Sequence, residues 1–188
     1  MAGNVNKSGL LAVKALFEKH GGCTYGEGVT QIEHALQCAV AAQADGAMPC
    51  QVTAALLHDV GHMLHEDARQ ALLDRVDDRH EALGASWLKQ WFVDEVSMPV
   101  ALHVEAKRYL CHVDPGYHSG LSPVSQTTLA MQGGPMTAEQ AQAFRLRPFA
   151  DEAVAVRRWD EIGKDPAAMT PSLDYFLEIA ARGLRTAP

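Results

Sequence analysis

Histidine and carboxylate side chains are the residues of this chain best suited to chemistry. One apolar run ends in three ionisable groups, in the segment Ala54-Ala55-Leu56-Leu57-His58-Asp59-Val60-Gly61-His62. Such groups are costly to bury unless they are paired or bind a ligand. Imidazoles and carboxylates together suit first-row transition metals, and a histidine next to an aspartate can serve one centre if the aspartate bridges two ions. The residues that share this chemistry are His34, His58, Asp59, His80, His103 and Asp160.

Helices must position these residues, because helical signals extend along almost the whole chain. Ser8 can cap a first helix, and Thr30-Gln31-Ile32-Glu33 is typical of a capping box that starts a helix carrying His34. A helix over residues 51–60 would end at Gly61, and residues 111–123 would form a loop. Further helices are predicted over 79–92, 93–109, 124–131, 137–145, 149–163 and 172–184, with no strand. We therefore predict one all-α domain over residues 1–188, a bundle whose interior brings the histidines and aspartates together.

A metal site is not the only interpretation of these residues. A single buried histidine is more often a hydrogen-bonded core residue, and a His-Asp dipeptide occurs by chance in many proteins. The metal site is favoured because the candidate ligands recur on different predicted helices, and because one helix ends abruptly in three ionisable groups.

Composition excludes several classes of partner. The 188 residues include 16 Lys+Arg and 23 Asp+Glu, for a net charge of −7, and only 6% are aromatic. Such a chain lacks the broad cationic face that nucleic acid requires, and no apolar run approaches the roughly 20 residues of a membrane span. The four cysteines form no CxxC pair, which predicts reduced thiols and a cytoplasmic protein. We expect a small-molecule substrate, no nucleic acid and no membrane partner.

The order of the candidate ligands, H…HD…D, resembles that of the HD-domain superfamily of helical metalloproteins. Four stretches are more narrowly similar to PhnZ-type organophosphonate oxygenases: QIEHALQCA at 31–39, HVEAKRYL at 103–110, QGGPM at 132–136 and RWDEIGK at 158–164. The resemblance covers essentially the whole chain. It implies an HD-type bundle in which the six residues above hold a mixed-valent Fe(II)/Fe(III) pair. Asp59 would bridge the two irons, and O2 would be the co-substrate.

The same resemblance implies an activity and further site residues. The family uses O2 to cleave the C–P bond of 1-hydroxy-2-aminoethylphosphonate-type substrates, releasing phosphate with glycine, or with glycine betaine from the N-trimethyl substrate. By position, Lys107, Ser125, Thr128 and Gln132 would bind the phosphonate. Catalytic roles would fall to Tyr25, Glu27 and His62. Glu27 would reach the amino group, whereas His62 would either move protons and orient substrate or fix a ligand carboxylate.

The chain departs from the family pattern next to Glu27. Where the family has a tyrosine three residues before the glutamate, this chain has Thr24, and Tyr25 follows. The family's tyrosine is thought to occupy the open iron position in the resting enzyme, so either Tyr25 takes that role or the role is lost. The small Thr24 and Gly28 would widen an amine pocket, and Tyr25 or Trp159 would offer it an aromatic face. We therefore expect the N-methylated substrate.

Other functions remain compatible with the sequence. One is an HD phosphohydrolase acting on a small phosphate ester, and another is a module that binds metal without catalysis. Arg157 and Arg158 precede Asp160; we expect surface positions for them, although one could pair with a ligand carboxylate or with the phosphonate. The sequence leaves open whether the protein is a monomer or a homodimer.

Overall fold

The computed structural model describes residues 7–64 and 79–186, and within these ranges the protein is predominantly helical. The predicted all-α fold is confirmed. No helix in the described ranges is long and apolar enough to cross a membrane. The elements are α1 Ser8–His20, β1 Thr24–Gly26, β2 Val29–Thr30, α2 Gln31–Ala44, α3 Pro49–Leu57, α4 Val60–Leu64, α5 His80–Leu88, α6 Asp94–Val113, α7 Pro115–Gly120, α8 Pro123–Met131, α9 Ala138–Arg145, α10 Ala150–Ile162, α11 Leu173–Ala180 and a 3-10 turn Ala181–Gly183.

The 20-residue helix α6 is the axis against which the other helices pack. Helices α3, α5 and α10 lie against it, α2 packs on both α3 and α10, and α4 packs on α5. Their apolar faces form the main core, which includes Leu57, Leu88 and Phe92. A smaller core around Leu102 and Phe144 joins α6 to α9 and α10. The helices around α6 therefore enclose one interior, where the candidate ligands meet.

Local sequence signals specify several helix starts. Thr30 and Glu33 form the predicted capping box, in which each side chain bonds the other residue's backbone N–H, at 3.3 and 2.8 Å. Thr137 begins α9 with a second box of the same kind. Because His34 follows Glu33 directly, the first box also fixes where this histidine lies in the first turn of α2.

The predicted end of a helix at Gly61 is wrong. Helix α3 ends before His58, and α4 starts directly after Asp59 and runs through Gly61. Glycine is needed here for close packing, because a Cβ at Gly61 would overlap the backbone carbonyl oxygen of His80. His58 and Asp59 consequently form the bend between two helices, and the side chains of these neighbours reach the same centre.

The predicted loop over residues 111–123 is also wrong. Helix α6 continues to Val113, and α7 follows at once. Asp114 caps α7, since its Oδ1 accepts the backbone N–H of Tyr117 at 3.1 Å. Two Gly and two Pro residues in this stretch suggested a loop, but Pro115 lies in the first turn of α7, where its missing N–H is not required.

A small antiparallel sheet was not predicted. Strand β1 pairs with β2 through a two-residue turn, Glu27-Gly28. Both turn residues have positive φ, 54° and 88°, as the tightest hairpin turns require. The strands are too short to show an alternating pattern, so periodicity could not reveal them.

The four cysteines are free, which confirms the predicted thiols, and the cytoplasmic location stays a prediction.

Candidate metal centre

The six predicted ligands come together in the interior of the bundle. The surrounding helices cover them so fully that none is more than 8% exposed. Because they come from different elements, the centre forms only when the bundle is assembled. His34 lies on α2, His58 and Asp59 at the bend after α3, His80 at the start of α5, His103 on α6 and Asp160 on α10.

Backbone carbonyls orient three of the histidines. Nδ1 of His34 lies 2.7 Å from the carbonyl oxygen of Gly163, to which it can donate. Nδ1 of His58 and of His103 each lies within hydrogen-bond distance of the carbonyl oxygen three residues earlier, at 2.9 and 2.8 Å. With the proton on Nδ1, the lone pair of Nε2 is free to bind a metal. The main chain therefore selects the tautomer that metal binding needs.

Asp59 stands between two pairs of histidines. Its Oδ2 lies 3.3 Å from Nε2 of His58 and 3.8 Å from Nε2 of His34. Its Oδ1 lies 3.4 Å from Nε2 of both His80 and His103. Within the pairs, the two Nε2 atoms are 3.3 and 3.2 Å apart. Two nitrogens that bind one ion at about 2.1 Å are separated by roughly 3.0–3.4 Å, so each pair fits one ion and Asp59 can bridge both.

Asp160 completes the His34 half of the centre. Its Oδ1 lies 3.4 Å from Nε2 of His34, and its Oδ2 lies 3.7 Å from Nε2 of His58. Oδ2 also accepts a hydrogen bond from Nη1 of Arg157, which is buried. The expected surface position of Arg157 is therefore wrong, and the alternative, pairing with the carboxylate of a predicted ligand, is found. Arg158 is exposed, as expected.

Tyr117 and Glu161 share the guanidinium of Arg157, and the sequence analysis identified neither. Nη2 of Arg157 pairs with Glu161, and Nε donates to the Tyr117 hydroxyl at 2.7 Å. Burial raises the pKa of that hydroxyl, so it remains a donor, and it bonds Oε1 of Glu161 at 3.1 Å. The four-residue spacing of Arg157 and Glu161 on one helix was the available signal. Tyr117 gave none, because it lies in the segment predicted as loop.

Gly163 allows α10 to approach α2 closely enough to orient His34. A Cβ at this position would lie 2.6 Å from Sγ of Cys38 and 3.0 Å from Nδ1 of His34. Cys38 packs beside the imidazole of His34, with Sγ 3.6 Å from Nε2 and 3.9 Å from Nδ1. Sγ of Cys38 also belongs, with one ring nitrogen each of His34 and His58, to a group of potential ligand atoms that all lie within 4.8 Å of one another. Cys38 is buried, as predicted, and its thiol lies close enough to add a sulfur donor to the His34 half of the centre.

Burial and neighbouring groups set protonation states that suit a metal. Burial, followed by the nearby His58, lowers the pKa of His34 to about 3, and burial also lowers the pKa of His103. Burial alone would raise the pKa of Asp59, but His58 and His103 hold it well below its usual range. His34 and His103 thus present neutral imidazoles and Asp59 presents an ionised carboxylate, the forms that bind metal ions. With two nitrogen pairs and a bridging carboxylate, it fits two first-row ions.

Of the predicted phosphonate-binding residues, Lys107 lies one helical turn beyond His103 on α6, and the other three lie on α8 or at its C-terminal end. Lys107 is only 4% exposed, and its Nζ donates to Oγ1 of Thr128 at 2.9 Å. Burial and the nearby Arg157 lower the pKa of Lys107 to about 7. Ser125 lies three residues before Thr128 on α8, and Gln132 forms the C-terminal cap of that helix. Oε1 of Gln132 is buried without a hydrogen-bond partner among the described residues.

His62 lies at the His80 half of the centre. Its ring stacks on that of His80, with centroids 3.8 Å apart. Its Nε2 is 3.9 Å from Oδ1 of Asp59, which is too long for a hydrogen bond. A quarter of the His62 side chain is exposed, so it connects the buried centre to solvent. This position suits proton transfer better than fixing the ligand carboxylate.

Tyr25 lies at the opposite half of the centre. Its ring stacks on that of His34, with centroids 3.8 Å apart, and its hydroxyl is 3.5 Å from Oδ1 of Asp160. Burial, and then the charge of Asp59, raise the pKa of Tyr25 well above its usual value, so the phenol stays protonated. Tyr25 itself therefore reaches the centre.

Trp159 does not contribute the aromatic face that was expected of it. Its Nε1 donates to Oδ2 of Asp45 at 2.7 Å, just beyond the C-terminal end of α2 and eleven positions after His34. Its ring belongs to the main core. The helical step between neighbours on α10 turns Trp159 away from the side on which Asp160 faces the centre.

Comparison with known proteins gives a family and several relatives. Residues 32–164 match the model of the HD domain. A hydroxymethylphosphonate dioxygenase of Gimesia maris is 44% identical over 168 residues, covering 87% of this chain and 83% of its own. A glycine-betaine-forming [1-hydroxy-2-(trimethylamino)ethyl]phosphonate dioxygenase of Leisingera caerulea is 39% identical over 171 residues. The match covers 90% of this chain and 87% of the relative. Protein L432 of Acanthamoeba polyphaga mimivirus is 31% identical. The match covers 86% of this chain and 75% of the relative.

Proposed function

The chain belongs to the HD-domain family, and from this premise we propose that it is an oxygenase that cleaves the C–P bond of a 1-hydroxyphosphonate with O2. The observation that carries the proposal is the pair of histidine clusters bridged by Asp59, with the buried Lys107 one helical turn from His103. The activities for which the two bacterial relatives are named support this substrate class. A hydroxyphosphonate is small and strongly anionic, which matches a buried ammonium beside a cationic centre.

The proposed ligands are the six residues of the centre, which offer nitrogen and oxygen donors. When bound, a mixed-valent Fe(II)/Fe(III) pair would supply the redox chemistry with O2 that oxidation of the carbon requires. Zinc has no accessible redox state and would not serve. The fit of each histidine pair to one ion supports a two-metal centre, and the acidity of Asp59 supports its role as the bridge.

Lys107, Ser125, Thr128 and Gln132 are proposed to bind the phosphonate. The Lys107 ammonium would neutralise part of its charge, and the Thr128 hydroxyl, already within 2.9 Å of that ammonium, would bond a phosphonate oxygen. The Gln132 amide can present either its oxygen or its N–H groups, and its buried oxygen still has no partner among the described residues. These contacts would hold the carbon that carries the hydroxyl next to the metal centre.

His62 and Tyr25 are proposed to act on either side of the substrate. The reaction converts R–CH(OH)–PO₃²⁻ and O2 into R–COO⁻, HPO₄²⁻ and one proton, which must reach solvent. His62 is suited to move that proton, since it stacks on His80 and is partly exposed. Tyr25 would exclude water from the His34 half before substrate binds, because its ring covers that imidazole.

The experiment is a side-by-side assay of three substrates under air and under argon. Protein reconstituted with Fe(II) is given hydroxymethylphosphonate and the 2-amino and 2-trimethylammonio derivatives of 1-hydroxyethylphosphonate. We expect release of phosphate, with one O2 consumed per phosphate, and none under argon. The carboxylic acid formed identifies the substituent that this protein accepts.

Two variants connect this activity to the centre. His58→Ala is expected to lose iron and activity together, whereas Lys107→Ala should keep its iron and raise KM at least about tenfold. Turnover of a phosphate monoester under argon, with no oxygen-dependent phosphate release, would replace the proposal with a phosphohydrolase. Protein that takes up no iron would indicate a module without catalysis.

A further inference from the structure

The turn of the hairpin carries a carboxylate that already has a cationic partner. Oε2 of Glu27 lies 3.1 Å from Nζ of Lys164, and both side chains are largely buried, at 13% and 15% exposure. The same ammonium lies 3.1 Å from Oε2 of Glu161. Lys164 is therefore held between two carboxylates. The other oxygen of Glu27, Oε1, is buried without a hydrogen-bond partner in the described part of the chain.

This ion pair lies at the edge of the metal centre. Tyr25, two residues before Glu27, stacks on His34. Gly163, the residue before Lys164, offers its carbonyl oxygen to Nδ1 of the same histidine at 2.7 Å. The Lys164 ammonium is close enough to be one of the charges that keep the His34 imidazole neutral, after burial and His58.

The two ends of the centre differ in charge. At the His103 end, Lys107 presents an ammonium to an incoming ligand. At the His34 end, the hairpin turn carries the Glu27 carboxylate, which shares the Lys164 ammonium with Glu161. A ligand whose anionic group is held by Lys107 would extend its other end towards Glu27. A cation on that end would meet a carboxylate that already pairs with the Lys164 ammonium through one of its oxygens.

We propose that Lys164 is a positioning residue that sets specificity by competing with a cationic substituent of the substrate for Glu27. A substrate without a cation leaves the Glu27–Lys164 pair intact. A substrate with an ammonium or trimethylammonium group must share or displace Lys164, so it gains less from Glu27 than it would from a free carboxylate. This inference rests on the proposed function, because it concerns which hydroxyphosphonate that site accepts.

The test is the ratio of kcat/KM for each cationic substrate to kcat/KM for hydroxymethylphosphonate. In Lys164→Met we expect this ratio to rise about tenfold, because Glu27 is released to the substrate's cation. The ratio does not depend on the fraction of enzyme loaded with iron, so any loss of metal in the variant cancels. An unchanged or lower ratio overturns the proposal, since Lys164 would then not compete for Glu27.

Three further variants separate competition from structural damage. Lys164→Arg keeps the charge and should keep the wild-type ratio. In a Glu27→Gln background, Lys164→Met should leave the ratio unchanged, because the contested carboxylate is gone. Lys14→Met is the matched control: Lys14 forms an exposed ion pair with Asp174, 2.6 Å long, between α1 and the start of α11. Its loss should not move the ratio, and a rise equal to that of Lys164→Met overturns the proposal.

A second measurement does not require bound metal. Amide hydrogen exchange of residues 24–30 should accelerate several-fold in metal-free Lys164→Met and stay unchanged in Lys14→Met, because Lys164 anchors the hairpin turn. Equal exchange in both variants overturns the anchoring role. If wild-type protein turns over none of the three hydroxyphosphonates, the proposed function fails and this inference with it. Turnover with an unchanged ratio overturns the inference alone.

Discussion

The surroundings of Lys107 disfavour the charged form of its side chain. Burial disfavours the ammonium, and Arg157 nearby carries the same sign, so the pKa of Lys107 falls to about 7. Thr128 offers it a neutral hydroxyl. A dianionic ligand would supply the counter-charge that the bundle does not, so part of the binding free energy offsets a cost already present in the folded protein.

This gives a testable pH dependence. In the proposed binding mode Lys107 meets the phosphonate as an ammonium, so we expect kcat/KM to fall as the pH rises above about 7, by up to about tenfold per pH unit. The charged groups Arg157, Asp59 and Glu161 also act on Lys107, and all of them keep their charge over this range. Dividing wild-type kcat/KM by that of Lys107→Met, from about pH 6 to about pH 9, isolates the lysine. A ratio that is flat with pH contradicts the assignment.

Arg157 is expected to control iron binding without touching iron. Its guanidinium holds one oxygen of Asp160, while the other faces His34. Arg157→Lys keeps the charge but loses the planar set of donors, so we expect Fe(II) affinity to fall about 10- to 100-fold. Anaerobic Fe(II) titration measures this. Arg158→Lys, at the exposed neighbouring position, is the control, and equal affinities for the two variants would show that Arg157 does not position the ligand.

At the scale of residues, the sequence predicts candidate metal ligands better than it predicts the residues that hydrogen-bond to them and orient them. His58, Asp59 and Asp160 could be proposed as ligands because few residue types bind metals and their order along the chain is informative, and the structure brings them together. Arg157 and Lys164 could not be assigned, because a charged side chain acquires its role from the neighbours it meets in three dimensions. Tyr117 meets Arg157 from a helix forty residues away in sequence, and no local pattern encodes that contact.

At the scale of elements, Gly61 brings α4 against the start of α5. Adding one methyl group here, in Gly61→Ala, would force the carbonyl of His80 to move. We expect a loss of about 2–3 kcal/mol in the free energy of unfolding and a lower iron content. Chemical denaturation and metal analysis measure the two effects. Gly22→Ala is the control, since a Cβ there has no neighbour within 4 Å, and equal stabilities would contradict the packing role.

Helix starts were more predictable than helix ends. The box at Thr30 and Glu33 is a local signal, and the structure contains it as predicted. Gly61 was misinterpreted because a glycine beyond an apolar run is typical both of a helix end and of close packing, and only the position of His80 distinguishes the two. The hairpin at Glu27 and Gly28 depends on two residues with positive φ, and it is too short for any periodicity.

For the whole molecule, polar side chains of the candidate metal centre occupy interior positions that apolar side chains would otherwise fill. Nε2 of His34 and Nε2 of His58 lie 3.3 Å apart, and with the protons on Nδ1 the two lone pairs face each other, an arrangement that a shared cation would stabilise. Saturating iron should stabilise the fold by about 3 kcal/mol at a hundred times the Kd. We therefore expect chelation to lower Tm by about 5–10 °C. Anaerobic thermal unfolding measures this, and an equal shift in His58→Ala would contradict the assignment.

The last turn of α10 and the residues after it combine several of these contacts in one short segment. Asp160 faces two histidines, Glu161 pairs with Arg157, Gly163 orients His34, and Lys164 holds the hairpin. Four successive contacts thus depend on a single backbone register. An inserted or deleted residue would displace all of them together, whereas a substitution affects one. Among homologous chains, length differences should accumulate on either side of residues 160–164 and be absent within them.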